Sequence, residues 1–265
     1  MAVRGRSIDG GRSENSHLAM TSLDVVAAQD RRVSEDSILA FCDSVSRTFG
    51  TGEQAVVAVH SASCQIHSND RIAMMGPSGS GKSTLLHLIA GLDTPTSGSL
   101  TWPALARSAS ELSGSVAMVF QGASLMPPLT VLENVAFPLL LDGMNDSLAR
   151  QAAASALASL DIGELGSRLP EELSGGQAQR ACVARVLASR PRLILADEPT
   201  GQLDHAAAKH VVEVLVEAAD RLGAGLVVST HDPLIADHLE TRWRMSDGAL
   251  DTRAVTSPAP NSKGP

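Results

Sequence analysis

Apolar and polar residues alternate along two long stretches in the first quarter of the chain, 38–45 and 56–66. This alternation is typical of antiparallel strands with one buried face. Shorter, mainly apolar runs follow at 71–75, 192–196 and 225–229. Such runs are typical of strands that are covered on both faces. The pattern therefore predicts an antiparallel lobe with one buried face, followed by a sheet that is buried on both faces.

Predicted helices alternate with the buried strands. They lie at 129–141, 147–160, 174–189, 205–222 and 233–239, and one more follows residue 84. The other predicted strands are 99–102, 115–120, 241–245 and 249–252. Strands that alternate with helices form a mostly parallel sheet with helices on both faces. The sequence thus predicts an α/β fold with a mostly parallel core sheet and an antiparallel β lobe. The helix-rich stretch 123–172 is predicted to form an α-helical subdomain.

The two ends of the chain differ in composition from its middle. Residues 1–37 are polar and rich in Ser, Asp and Arg, and residues 253–265 are rich in Pro and Ser. We expect both segments to be disordered and the folded domain to span 38–252. No run of 18 apolar residues occurs, and no apolar core follows the charged start. Neither a membrane span nor a secretory signal is therefore expected.

Charge and composition narrow the class of partner. The formal net charge is −8 and only 2% of the residues are aromatic. An acidic chain with few stacking side chains is a poor match for a nucleic-acid-binding protein, so no nucleic-acid partner is expected. The three cysteines, Cys42, Cys64 and Cys182, are scattered in apolar surroundings. They are interpreted as buried free thiols of a protein in a reducing cytosol.

A glycine-rich run follows the apolar stretch 71–75. Its residues are Gly76, Pro77, Ser78, Gly79, Ser80, Gly81, Lys82, Ser83 and Thr84, which fit the phosphate-binding pattern G-x-x-x-x-G-K-[ST]. Glycines let main-chain N–H groups converge on a polyphosphate at the positive end of a helix. We expect Lys82 to reach the β- and γ-phosphates and the Ser83 hydroxyl to bind Mg²⁺. A Gly/Ser turn before a core helix is the structural alternative.

A second helix start carries unusual glycines. The pentapeptide Leu173, Ser174, Gly175, Gly176 and Gln177 opens the predicted helix 174–189. Ser174 is a candidate N-cap, and the two glycines allow an anion to approach the main chain closely. A capped surface helix is the alternative, but it has no need of glycines in the first turn, where they cost stability.

Two adjacent carboxylates, Asp197 and Glu198, directly follow the buried run 192–196. Buried carboxylates are unfavourable unless a cation or a substrate uses them. Successive side chains on a strand point in opposite directions, so the two residues can have different roles. We expect Asp197 to hold Mg²⁺ through its hydration shell and Glu198 to act as the general base on water. A solvent-exposed acidic turn is the alternative.

With these motifs the chain resembles the ATP-binding cassette (ABC) transporter ATPases, whose defining pair is this phosphate loop together with L-S-G-G-Q. The resemblance extends over about residues 38–252. It implies a P-loop NTPase fold of ABC type, ATP hydrolysis, and ATP and Mg²⁺ as ligands. It also implies that Ser174, Gly175, Gly176 and Gln177 contact the nucleotide.

The resemblance assigns roles to four further residues. Gln121, at the end of a predicted strand, matches the glutamine that contacts Mg²⁺ and the attacking water and couples to a membrane partner. His231 matches the histidine that bonds the γ-phosphate, although a lone histidine is more often structural. Asp204 matches a residue at the dimer seam, and N-capping of the next helix is a competing role. Phe49 matches the aromatic residue that stacks on adenine, and a core phenylalanine is its rival.

The chain departs from the family pattern at two places. Lys82 and Gln121 are 39 positions apart, which is shorter than in most relatives. We expect the missing piece to be a hairpin and helix of the β lobe around residues 101–113. Gln202 stands where small residues or Asn are common, which affects only the details of the segment around Asp204.

The resemblance also implies two partners. One is a second copy of the chain, in a head-to-tail dimer where Ser174 and Gly176 of one copy cap the γ-phosphate bound by Lys82 of the other. The other is a separate transmembrane permease, which would hold the chain at the cytoplasmic face of the membrane. Residues 91–98, 125–135 and 170–174 resemble the branch that serves lipoprotein release and macrolide export.

Three other functions share some of these motifs. An ABC ATPase whose permease signals to an envelope enzyme has the same motifs, so the residues do not separate it from a transporter. Soluble ABC ATPases of translation or DNA repair usually have two cassettes, coiled coils or basic surfaces, none of which this sequence shows. A metabolite kinase would leave L-S-G-G-Q and His231 unexplained.

Overall fold

The computed structural model describes residues 38–106, 108–122, 124–201 and 203–253. The disorder expected for residues 1–37, and for 253–265 beyond Arg253, lies outside these described residues. Among the described residues, no helix has the length and the apolar character that crossing a bilayer requires.

Strands and helices alternate through the described chain as the sequence predicts. The strands are β1 (Ile38–Phe49), β2 (Val56–His67), β3 (Arg71–Met75), β4 (Ser97–Thr101), β5 (Val116–Val119), β6 (Leu193–Asp197), β7 (Gly225–Thr230), β8 (Thr241–Ser246) and β9 (Ala249–Asp251). The α-helices are α1 (Lys82–Ile89), α2 (Val131–Leu141), α3 (Asp146–Ala158), α4 (Gly175–Ala188), α5 (His205–Leu222) and α6 (Pro233–Ala236). Short 3₁₀ helices lie at Gly52–Gln54, Ala109–Glu111, Gly163–Leu165 and Pro170–Glu172.

The strands form two sheets. A three-stranded antiparallel sheet has the order β2-β1-β4. A six-stranded sheet has the order β5-β6-β7-β3-β8-β9 and is parallel except for the β8–β9 pair. This arrangement confirms the predicted mostly parallel core with an antiparallel lobe. The carboxyl ends of the parallel strands therefore meet along one edge, where an α/β sheet places its ligands.

Neighbouring residues of the interior strand β6 belong to different apolar clusters. Ile194 and Ala196 join the cluster that contains the buried faces of α2, α3, α4 and α5. Leu193 and Leu195 join the cluster that contains α1 and the β1–β2 lobe. Strand side chains alternate between faces, so a strand that is apolar throughout is covered on both sides. Helices α2 and α3 pack on each other and on α4, which joins them to the sheet. The bounds 123–172 for a helical subdomain stay a prediction.

The last α-helix is shorter than the sequence predicts. The helix predicted at 233–239 ends at Ala236, since Asp237 follows as its C-cap. Between β4 and β5 lie turns, a bridge between Trp102 and Ala106, and the 3₁₀ helix Ala109–Glu111. The indole Nε1 of Trp102 donates a hydrogen bond to the Ile89 carbonyl at 2.8 Å, which ties this short connection to the end of α1.

All three cysteines are buried and free, as expected from their apolar surroundings. Cys42 and Cys64 are directly opposite each other on β1 and β2. A hydrogen bond with Cys42, together with burial, raises the pKa of the Cys64 thiol well above its ordinary value. This thiol therefore stays protonated and behaves as a small apolar side chain.

Candidate functional site

The loop between β3 and α1 fits its surroundings only because of its glycines. Gly81 has a φ of +102°, and a Cβ there would lie 2.2 Å from the Ala58 carbonyl oxygen on β2. A Cβ on Gly76 would lie 2.1 Å from the Met245 carbonyl oxygen on β8. At these two glycines the loop therefore packs against β2 and β8 too closely for any larger side chain.

Lys82 is buried at the start of α1, with 5% of its surface exposed. Its Nζ donates to the carbonyl oxygens of Gly76 at 2.9 Å and of Pro77 at 3.0 Å. The same Nζ lies 3.5 Å from Oε1 of Glu198. The ammonium is thus held over the loop by groups whose partial or full negative charge compensates its burial.

The Glu198 carboxylate lies close to side chains that come from several different elements. Its Oε2 lies 3.5 Å from Nε2 of Gln121, at the end of β5, and 3.5 Å from Nδ1 of His231, after β7. The Glu198 backbone has a φ of +43°, a left-handed conformation that costs a non-glycine residue about 1 kcal/mol or more. Its N–H donates to the Ser229 hydroxyl at 3.0 Å, which stabilises the turn.

Asp197 lies behind Glu198 and is itself buried. Its Oδ1 accepts a 2.6 Å hydrogen bond from the Ser229 hydroxyl. Ser229 therefore contacts both members of the acidic pair, a role that the sequence analysis missed. The available signal was a pair of hydroxyl residues, Ser229 and Thr230, which end an otherwise apolar buried strand directly before His231.

A cleft of about 290 Å³ lies above the loop. Its lining residues are Ala58, Ser78, Gly79, Gly81, Lys82, Ser83, Thr84, Gln121 and Glu198. A helix start with a lysine and converging main-chain N–H groups suits a polyphosphate. The Ser83 hydroxyl and the Gln121 amide oxygen are the hard oxygen donors that Mg²⁺ prefers, so the donor set fits this ion. Asp197 is absent from the lining and can reach such an ion only through another group.

The segment around Ser174 is well formed but lies elsewhere. The Ser174 hydroxyl accepts from the Gln177 N–H at 3.3 Å, and Gln177 Oε1 accepts from the Ser174 N–H at 2.9 Å. This reciprocal pair is a capping box at the start of α4. A Cβ on Gly176 would lie 3.0 Å from Cδ2 of Leu203. Residues 174–177 do not line the phosphate cleft of their own chain.

Asp204 and Phe49, which the sequence analysis singled out, contact residues that are close to them along the chain. Asp204 Oδ1 accepts from the Ala207 N–H at 2.9 Å, so Asp204 does cap α5. Phe49 is 44% exposed at the end of β1, which places its ring outside the core. The Arg47 guanidinium carbon lies 4.6 Å from the centre of that ring. Gln202 lies outside the described residues.

The structure thus brings four sequence-predicted parts together: the loop 76–84, Gln121, Glu198 and His231. Asp197 lies behind these groups and is linked to Glu198 through the Ser229 hydroxyl. His231 does not line the phosphate cleft itself and joins the group through its contact with Glu198. Ser174 and its neighbours, Asp204 and Phe49 also contribute no lining residue.

Comparison with known proteins identifies the family of the chain. Residues 59–201 match the model of the ABC transporter family. The chain is 37% identical over 220 residues to the lipoprotein-releasing system ATP-binding protein LolD of Shewanella oneidensis, covering 80% of this chain and 96% of that protein. It is also 37% identical over 225 residues to LolD of Legionella pneumophila, covering 82% and 99%.

A solved structure with the same fold gives an independent comparison. The dimeric post-hydrolysis state of the ATP-binding cassette MJ0796, bound to ADP and Pi, aligns with a TM-score of 0.75 and 32% identity. The alignment covers 82% of this chain and all of that one. The chain therefore belongs to the ABC transporter family, and it is an ATPase subunit of the type that binds ATP with Mg²⁺.

Proposed function

We propose that two copies of this chain assemble head to tail and enclose two ATP molecules, and that hydrolysis drives a separate membrane permease. One observation carries the dimer proposal: residues 174–177 are fully formed but do not line the cleft of their own chain. A helix start of the kind that suits an anion, but that lies outside the phosphate cleft of its own chain, is explained if it serves the partner copy. The related MJ0796 cassette is dimeric, which supports assembly of this chain into a dimer.

In this proposal each chain supplies most of a reaction centre. The loop 76–84 binds the phosphates, Lys82 neutralises the β- and γ-oxygens, and Ser83 and Gln121 hold Mg²⁺. When bound, that ion screens the charge that develops on the transferred phosphoryl group. Asp197 orients this end of the site from behind, through the Ser229 hydroxyl.

The chain also provides the groups that move the proton and detect the product. Glu198 accepts the proton of the attacking water, with Gln121 holding that water beside it. His231 donates a hydrogen bond to the γ-phosphate. Phe49 stacks on the adenine, and Asp204 lies at the dimer seam. The partner's helix start, with Ser174, Gly175, Gly176 and Gln177, caps the γ-phosphate.

Replacing Ser174 with Arg separates this proposal from a self-contained site. We expect the variant to bind ATP with an affinity within about twofold of the parent, since Ser174 lies outside its own cleft. Hydrolysis should fall by roughly 100-fold or more, because a bulky cation replaces a donor to the reacting phosphate. Binding is measured with a fluorescent ATP analogue and turnover by phosphate release.

Ser155→Arg is the matched control, since Ser155 is an exposed serine on α3. It should leave both quantities unchanged. Full-speed hydrolysis by Ser174→Arg, or hydrolysis by a strictly monomeric parent at saturating ATP, would rule out the composite site.

The permease partner is supported by an apolar surface on the helical region. Leu140, Leu141, Met144 and Leu148, from the end of α2 to the start of α3, are exposed, and Leu141 is 71% exposed. Exposed apolar side chains in a cluster mark an interaction site more often than isolated ones do. The LolD relatives belong to lipoprotein-releasing systems, which favours a permease of that mechanical branch. The chain would then work at the inner face of the cell membrane.

Co-purification tests the permease partner directly. The chain is co-expressed with the permease encoded beside it and extracted in mild detergent. We expect a stable complex with the parent chain and a reduced yield with Leu141→Asp. Leu92→Asp is the control, since Leu92 is also exposed but lies outside the cluster. Absence of any complex with the parent chain would count against the proposal.

A further inference from the structure

The main chain on either side of Gln121 is held by one helix. Gln121 follows β5, lines the phosphate cleft, and is itself exposed. An exposed residue beyond a strand end has many accessible conformations, and fixing it has an entropic cost. Other groups must therefore fix the main chain beside Gln121 if the Gln121 amide is to stay near Glu198.

The first link is Gln179 on α4. This side chain is almost completely buried, at 1% exposure. Its Nε2 donates to the carbonyl oxygen of Phe120, the residue directly before Gln121, at 3.2 Å. A buried amide that gives a hydrogen bond to a non-helical carbonyl fixes that carbonyl, because losing the partner would leave the group unsatisfied.

The second link is Arg185 on the same helix. Its Nη1 donates to the Ser124 carbonyl oxygen at 2.9 Å, and its Nη2 donates to the Ser124 hydroxyl at 2.6 Å. Two donors of one planar guanidinium fix both the position and the orientation of Ser124. Gln179 and Arg185 are about 9 Å apart along the helix axis. They therefore hold points before and after Gln121 on one rigid element.

We infer that Gln179 and Arg185 are positioning residues for Gln121. Neither lines the phosphate cleft, so each acts through the main chain beside Gln121. Holding Phe120 and Ser124 on α4 limits where the Gln121 amide can lie, and keeps its Nε2 at 3.5 Å from Glu198 Oε2. This inference rests on the role proposed for Gln121 in hydrolysis.

The test measures ATP hydrolysis by Gln179→Leu and Arg185→Leu. We expect kcat to fall by roughly 3- to 10-fold in each, as the loss of one positioning hydrogen bond implies. The KM for ATP should stay within about twofold, because the loop 76–84 is untouched. Arg185→Lys retains a donor and should recover part of the lost rate. The Arg185 variants leave Gln179 in place, so they still test the inference if Gln179→Leu fails to fold.

Arg180→Leu is the matched control. Arg180 lies on the same helix and also donates to a main-chain carbonyl, that of Leu160 at 3.0 Å, which is far along the chain from Gln121. We expect its kcat to equal that of the parent. If the kcat of Arg180→Leu falls as much as that of Arg185→Leu, then losing an arginine of α4 lowers kcat whether or not that arginine contacts the main chain beside Gln121. That result would overturn the inference.

A double-mutant cycle with Gln121→Ala completes the test. If Gln179 and Arg185 act through Gln121, their replacement should cause no further fall in kcat when Gln121 is already Ala. If the falls multiply instead, the positioning inference is wrong although Gln121 still matters. If Gln121→Ala alone hydrolyses ATP at the parent rate, the role proposed for Gln121 is wrong, and the inference fails with it.

Discussion

Replacing Glu198 with Gln is expected to lower ATP hydrolysis by about 10²- to 10⁴-fold, the usual contribution of a general base. The amide has nearly the shape of the carboxylate, so it fits the place that Glu198 occupies between Lys82, Gln121 and His231. It cannot accept the proton of the attacking water. Since the phosphate-binding loop is unchanged, ATP binding should persist.

The same variant should accumulate as an ATP-bound dimer, because assembly continues while the step that separates the copies is blocked. Phosphate release measures the rate, and size-exclusion chromatography with and without ATP measures the dimer. Glu213→Gln, at an exposed glutamate of α5, is the control and should behave like the parent. Near-normal turnover by Glu198→Gln would refute Glu198 as the base.

Replacing Lys82 with Ala should weaken ATP binding by about 30- to 4,000-fold, since truncating a buried charged partner costs about 2–5 kcal/mol. Lys82 is 5% exposed, and its ammonium is the cation placed over the loop. Its removal also leaves Glu198 without the positive charge 3.5 Å away. The phosphates would then face that carboxylate without the compensating charge of Lys82.

Equilibrium binding of a fluorescent ATP analogue measures this loss, and thermal unfolding without nucleotide checks that the variant is folded. Lys209→Ala is the matched control, because Lys209 is a lysine of α5 paired with Glu213 at an exposed site. It should bind ATP as the parent does. An unchanged affinity in a folded Lys82→Ala protein would remove Lys82 from the phosphate site.

The order of strands and helices along the chain, and the phosphate-binding motif of the loop 76–84, could be predicted from the residues alone. Both depend on residues that are close along the chain. The period of apolar residues follows from local geometry, so α5 begins and ends where the pattern predicts, at His205 and Leu222. The glycines and Lys82 act through neighbouring main-chain groups, and their spacing alone specifies a phosphate loop.

Which of these groups come into contact depends on how the elements pack. Glu198 contacts Lys82, Gln121 and His231, which come from distant parts of the chain, because the carboxyl ends of parallel strands share one edge. The role of Ser229 between Asp197 and Glu198, and the hold of Gln179 and Arg185 on the main chain beside Gln121, follow from packing alone. Serine, glutamine and arginine can bond to many partners, so their sequence positions do not specify which one they contact.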